Sequence, residues 1–75
     1  MRKVKIGGKY KHFKGKIVTV FAIAKNTEDL KDLVIYTHDE DTWARPYEMF
    51  VSEVDHDKYP DVKQKYRFEE VKGED

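Results

Sequence analysis

The 75-residue chain has no cysteine, a single serine, two prolines and four glycines. Without cysteine there are no disulfides and none of the commonest structural zinc sites. A domain of this size buries only roughly 60–65% of the surface its unfolded chain exposes. Its stability must therefore come from packing alone or from self-association. The one serine, Ser52, lies four residues before His56, and neither sits in a recognisable nucleophile turn. No glycine-rich phosphate loop or other cofactor motif is present, so neither catalysis nor a cofactor is expected. No stretch approaches the roughly 20 apolar residues of a membrane span. The start, Met1-Arg2-Lys3-Val4-Lys5-Ile6-Gly7, is basic but lacks the apolar run of a signal peptide. Residues 1–75 are expected to form one cytoplasmic domain that does not enter a membrane, ordered over about 8–71.

Acidic residues are missing from the whole first third. Eight basic residues precede Glu28, so the first 25 residues carry +8, and the remainder, with seven basic and fifteen acidic residues, carries −8. Such asymmetry marks either a basic patch that attracts polyanions or a basic strand lying across an acidic one.

What is present reads as β-structure. Ile17-Val18-Thr19-Val20-Phe21-Ala22-Ile23-Ala24 is rich in β-branched residues and follows Gly15, which predicts a central strand. Leu33–Thr37 predicts a second strand and Thr42–Arg45 a shorter third, bounded by Pro46. The polar link 25–32 joins the first two as a hairpin, with Asn26 or Thr27 capping one helical turn. His38-Asp39-Glu40-Asp41 turns the chain again. Pro46–Phe50 suits one helical turn with Met49 and Phe50 pointing to the core. Val51 and Val54 are placed as a strand extension, 55–61 as loop, and Tyr66–Val71 as a final edge strand. Short strands at this spacing predict a small closed or half-closed antiparallel barrel.

The order of several short segments resembles a known family. Gly8–Gly15, Ile23-Ala24 with Thr27-Glu28, Leu33–Tyr36, Trp43-Ala44-Arg45-Pro46 with Met49-Phe50, and Arg67-Phe68 are similar to the bacterial domain of unknown function 1653 family. The resemblance spans nearly the whole chain. It implies an all-β fold, a small SH3-like antiparallel barrel of about five strands with one short helical turn, and implies no established activity. The chain departs from the family pattern after Tyr36. Thr37-His38-Asp39-Glu40-Asp41-Thr42 replaces a longer segment that carries a bulky apolar residue, an aromatic and a glycine.

The candidate site lies in two clusters, Tyr10–Gly15 and Trp43–Phe50, where aromatic, basic and turn-forming residues mix. Tyr10 and His12 share one face of an extended segment. His12 either contacts a ligand or hydrogen-bonds backbone at a strand end and fixes the Lys14-Gly15 turn. Trp43 is expected in the core or at the barrel rim in preference to an exposed stacking platform. Arg45, extended by the following proline, offers a fork for carboxylate or phosphate, or else pairs with Glu28 or Glu48. His12, His38 and His56 lack metal-ligand spacing, so no metal is expected, and Asp39-Glu40-Asp41 reads as a solvated hairpin tip. The expectation is a non-catalytic binding module whose face combines Tyr10, His12, Lys14, Tyr36, Trp43 and Arg45. Nucleic acid or another anion is the first ligand class. The alternative is a protein-interaction or homodimerisation module that uses the same aromatics.

Overall fold

A computed structural model describes residues 3–71. The β-branched runs form strands, and the chain order is β1 (Lys9–His12), β2 (Ile17–Lys25), β3 (Asp32–His38), β4 (Asp41–Pro46), α1 (Tyr47–Phe50) and β5 (Phe68–Glu70). The five strands make one antiparallel sheet in the order β4-β3-β2-β1-β5, with β2 at its centre. The two outer strands, β4 and β5, are not hydrogen-bonded to each other, so the sheet is not closed. It is nonetheless curled: the Arg45 guanidinium of β4 lies 5.6 Å from the ring centre of Phe68 on β5. The architecture is therefore a half-closed, all-β sheet, and the single turn of α1 is far too short to cross a membrane.

Alternation along the strands decides what goes inside. Tyr10 of β1, Val18 and Val20 of β2, Val34 and Tyr36 of β3 and Phe68 of β5 face one way and are buried. Phe50 of α1 covers them, stacked on Phe68 at 4.2 Å and 6° and edge-on to Tyr10 at 5.4 Å. In β2 the pairing register with β3 shifts between Val20 and Ala22, so Phe21 is an extra, two-thirds exposed residue. This bulge switches the inward parity, which is why the strand reads as a continuous apolar run instead of an alternating one.

The connections follow the turn chemistry. Asn26 Oδ1 accepts the Glu28 amide and Asn26 O accepts the Leu30 amide, which makes the one capped helical turn expected in this link. It ends on Leu30 at φ 61, an exposed leucine in the left-handed region. The β3–β4 hairpin is tight, with His38 paired to Asp41 across Asp39 and Glu40. Two expectations need correction. Met49 is 43% exposed, because a four-residue helix turns only Phe50 fully inward. Residues 51–54 do not extend a strand; Glu53 makes one isolated bridge to Tyr66, and β5 begins only at Phe68.

Candidate functional site

His12 ends β1 and opens the turn into β2. Its backbone N–H donates to Lys16 O, and its carbonyl accepts the Gly15 N–H. Gly15 sits at φ 101, where a side chain would be strained. That tight return places Lys14 and Lys16 on either side of the turn. The His12 ring then fixes the turn from within, since Nδ1 accepts the Lys14 N–H at 3.1 Å. The structural role foreseen for His12 is thus present, but it does not exclude the other role. With Nδ1 serving as acceptor, the neutral ring carries its proton on Nε2, which leaves a donor.

The same ring stands edge-on to Phe68 at 4.9 Å and forms a wall of an open cleft of about 210 Å³. Val18, Tyr36 and Phe68 give this cleft an apolar floor, while Lys14, Lys16, His38 and Arg45 line its sides. Arg45 is held there by Nε donating to Tyr36 Oη at a long 3.4 Å and by its place near the Phe68 ring. It makes no ion pair with Glu28, Glu48 or any other described carboxylate.

A second recess of about 290 Å³ shares His12, Lys14 and Arg45 with the first and continues past them to Lys58, Tyr59 and Arg67. Lys14 Nζ stands 5.7 Å from the Tyr59 ring centre and Lys58 Nζ 5.6 Å from the same ring. Arg67 Nε is shielded from solvent and has no hydrogen-bond acceptor among the described residues. The one carboxylate here, Asp55, accepts the Asp57 and Lys58 amides through Oδ1 and so caps its own turn. Burial, and then the positive charges of Arg45, Lys14, Arg67 and Lys16, hold the His12 pKa below its ordinary 6.5. Both effects favour the neutral ring, burial more than the surrounding cations.

Of the six residues foreseen for the site, the structure brings His12, Lys14, Tyr36 and Arg45 together. Tyr10 is not accessible. It is 2% exposed, and its Oη accepts the Lys5 N–H at 2.8 Å, so it is a core residue with a hydrogen-bonded tip. Trp43 pairs with Tyr36 across β3 and β4 and so shares the inner face, yet it lines neither recess. It is 49% exposed on an outer strand, which excludes the core from the two places expected for it, core or barrel rim. Lys16, His38 and Arg67 were missed. His38 was within reach of period-two reasoning, since it stands two residues beyond Tyr36 on the same strand face.

Among the described residues, two pairs join the basic and acidic parts of the chain, Lys25 with Asp32 at 2.8 Å and Lys5 with Glu70 at 3.7 Å. In addition, Lys11 of β1 lies opposite Glu69 of β5. The foreseen compensation exists, between residues that do not line the cleft. No curated protein and no solved structure matches the chain. Residues 8–70 match a family model from the first segment of the foreseen resemblance to the last, and the chain belongs to the family described as Protein of unknown function (DUF1653).

Proposed function

We propose that this protein is a non-catalytic binding module that holds a phosphate-bearing ligand in the His12–Arg45 cleft, with nucleic acid as the ligand class. One observation carries the reading: in a chain of zero net charge, Lys14, Lys16 and Arg45 line one cleft together with His12 and His38, and no described carboxylate lines it with them, although Asp39 Oδ2 lies 3.4 Å from His38 Nδ1. Gathering like charges costs free energy unless an anion offsets it. Tyr36 and Phe68 beside them add the aromatic surface that nucleic-acid sites combine with cations. The reading is non-catalytic because neither recess is lined by a serine, threonine or cysteine for His12 to activate.

The test is a ¹⁵N amide NMR titration with short single- and double-stranded nucleic acids at low and then moderate salt. Shifts at residues 12–16, 36–38, 45 and 67–68 that fade as salt rises support the proposal. An unchanged spectrum with both strands at low salt refutes it.

A second reading, self-association, draws on β4, an outer strand that exposes Asp41 to Ala44 with Trp43 among them. A molar mass by light scattering that stays monomeric up to millimolar concentration sets it aside.

A further inference from the structure

The two recesses differ in chemistry and meet at a shared border. The first has an apolar floor of Val18, Tyr36 and Phe68. Its volume of about 210 Å³ exceeds the ~150 Å³ of an apolar cavity that admits benzene. The second is polar and mainly cationic, with Lys58 and Arg67 added to the shared Lys14 and Arg45, and with Asp55, which caps its own turn, as its one described carboxylate. A phosphate or a simple polyanion has use for the second recess alone. A duplex backbone presents phosphates but keeps its bases stacked inside, and so leaves the first recess unused.

From this division, and resting on the phosphate-binding reading above, we propose that the site takes one nucleotide unit with an unstacked base: the planar ring enters the first recess beside Arg45 and Tyr36, and the adjoining phosphate lies in the second against Lys14, Lys58 and Arg67. His12 and Arg45 line both recesses and so stand at the border, where the ring and the phosphate of one nucleotide join. A guanidinium plane stacks on any base, so the site selects single strands over duplexes without reading sequence. Free nucleotides and nucleotides within a strand share this chemistry, and the experiment separates them.

The experiment titrates the full chain, by calorimetry and ¹⁵N NMR, with inorganic phosphate, adenosine, adenosine 5′-monophosphate, an eight-residue single-stranded oligodeoxyadenylate and the duplex it forms with its complement. Phosphate should shift residues 58 and 67, adenosine 36, 38 and 68, and the monophosphate both groups. The monophosphate should bind at least about tenfold tighter than either fragment, because linking the two makes the second contact intramolecular. Lys58→Ala should weaken the monophosphate and leave adenosine unchanged, and His38→Ala should weaken adenosine and leave phosphate unchanged. Single strand tighter than duplex assigns the unit to a strand; binding of the monophosphate alone assigns it to a free nucleotide. If phosphate, single strand and duplex bind alike with no response to adenosine, the two-recess inference falls while phosphate binding stands. If no phosphate-bearing probe binds, both fall.

Discussion

Arg45→Ala separates binding from folding at this site. Arg45 is partly buried and touches the rest of the protein in two ways, the 3.4 Å contact to Tyr36 Oη and the approach to the Phe68 ring. The hydrogen bond is too long to contribute much. A cation–π contact between exposed and desolvated limits contributes about 0.5–2 kcal/mol. Against this, removing one of several neighbouring cations relieves repulsion with Lys14, Lys16 and Arg67. The expected net loss is about 1 kcal/mol or less, or a Tm lower by roughly 4–8 °C at most in a domain of this size.

Binding should respond far more. A charge-assisted hydrogen bond to phosphate contributes about 1.5–3 kcal/mol, so affinity for a single-stranded oligonucleotide should fall roughly 10- to 150-fold. If Arg45 meets one phosphate, the salt slope should shrink by about 0.7. The same variant carries a third readout. Arg45 is the largest charge acting on His12, so its removal should raise the His12 pKa toward the ordinary value, while burial keeps it lower still. Paired thermal melts, calorimetry at two salt concentrations and an NMR titration of the His12 ring cover all three. An unchanged affinity, or a Tm lower by more than about 15 °C, refutes this account, since neither described contact of the Arg45 side chain explains such a loss.

Trp43→Ala should cost less than about 1 kcal/mol, because the ring is half exposed on an outer strand; a loss near that of a core aromatic in a urea melt would contradict the placement. Phe50→Ala should cost about 3–5 kcal/mol, a large share of the roughly 4–11 kcal/mol available to a domain of this length, and should leave a chain with little near-ultraviolet circular dichroism. Leu30→Gly should leave stability unchanged or raise it by about 1 kcal/mol, since the left-handed φ of 61 is free of strain for glycine and the exposed leucine gives up little packing; a lowered Tm would count against this. His12 binds protons less readily folded than unfolded, so between its folded pKa and 6.5 the unfolded chain holds more protons and stability rises with pH. Its contribution is fully present above 6.5 and is lost as pH falls through that window. A His12→Gln chain should show a flatter Tm profile there, and an equal slope in both chains would assign the effect to other groups.

The strands were legible because their residues carry the signal locally. β-branched runs bounded by glycine, proline and an acidic turn gave β2, β3 and β4 nearly to the residue, and Pro46 gave the helix start. The bulge at Phe21 left no trace, since a parity switch inside an apolar run looks the same as a strand buried on both faces. The site was half legible for a reason visible in β1. Lys9-Tyr10-Lys11-His12 mixes charge and aromatics along the chain, yet its burial alternates, so Tyr10 belongs to the core and the flanking lysines to solvent. Density of mixed residues in sequence is thus partly the signature of any half-buried strand. What distinguishes a site is that His12, Lys14 and Arg45 come to one place, and that convergence depends on the curl that carries β4 over β5, which no local pattern encodes.

The charge asymmetry resolves in the same spatial terms. Many of the carboxylates are held where the chain turns: Asp29 Oδ1 accepts the Lys31 amide, Asp55 Oδ1 those of Asp57 and Lys58, and Glu69 Oε2 those of Lys65 and Tyr66. Others meet lysines at the sheet margins, as Asp32 and Glu70 do. Each such carboxylate is engaged by a backbone or side-chain partner, and none of them lines the first recess, although Asp55 lines the second. Lys14, Lys16, Arg45 and Arg67 consequently form no ion pair with a described carboxylate, although the whole chain is neutral. At physiological ionic strength exposed charges are screened beyond about 8 Å, so an approaching anion responds to this cluster and to the carboxylates beside it, Asp55 in the second recess and Asp39 next to His38. Neutrality of the sequence and a strongly cationic cleft are therefore compatible, and the fold reconciles them by tying acids to turns while leaving bases to converge.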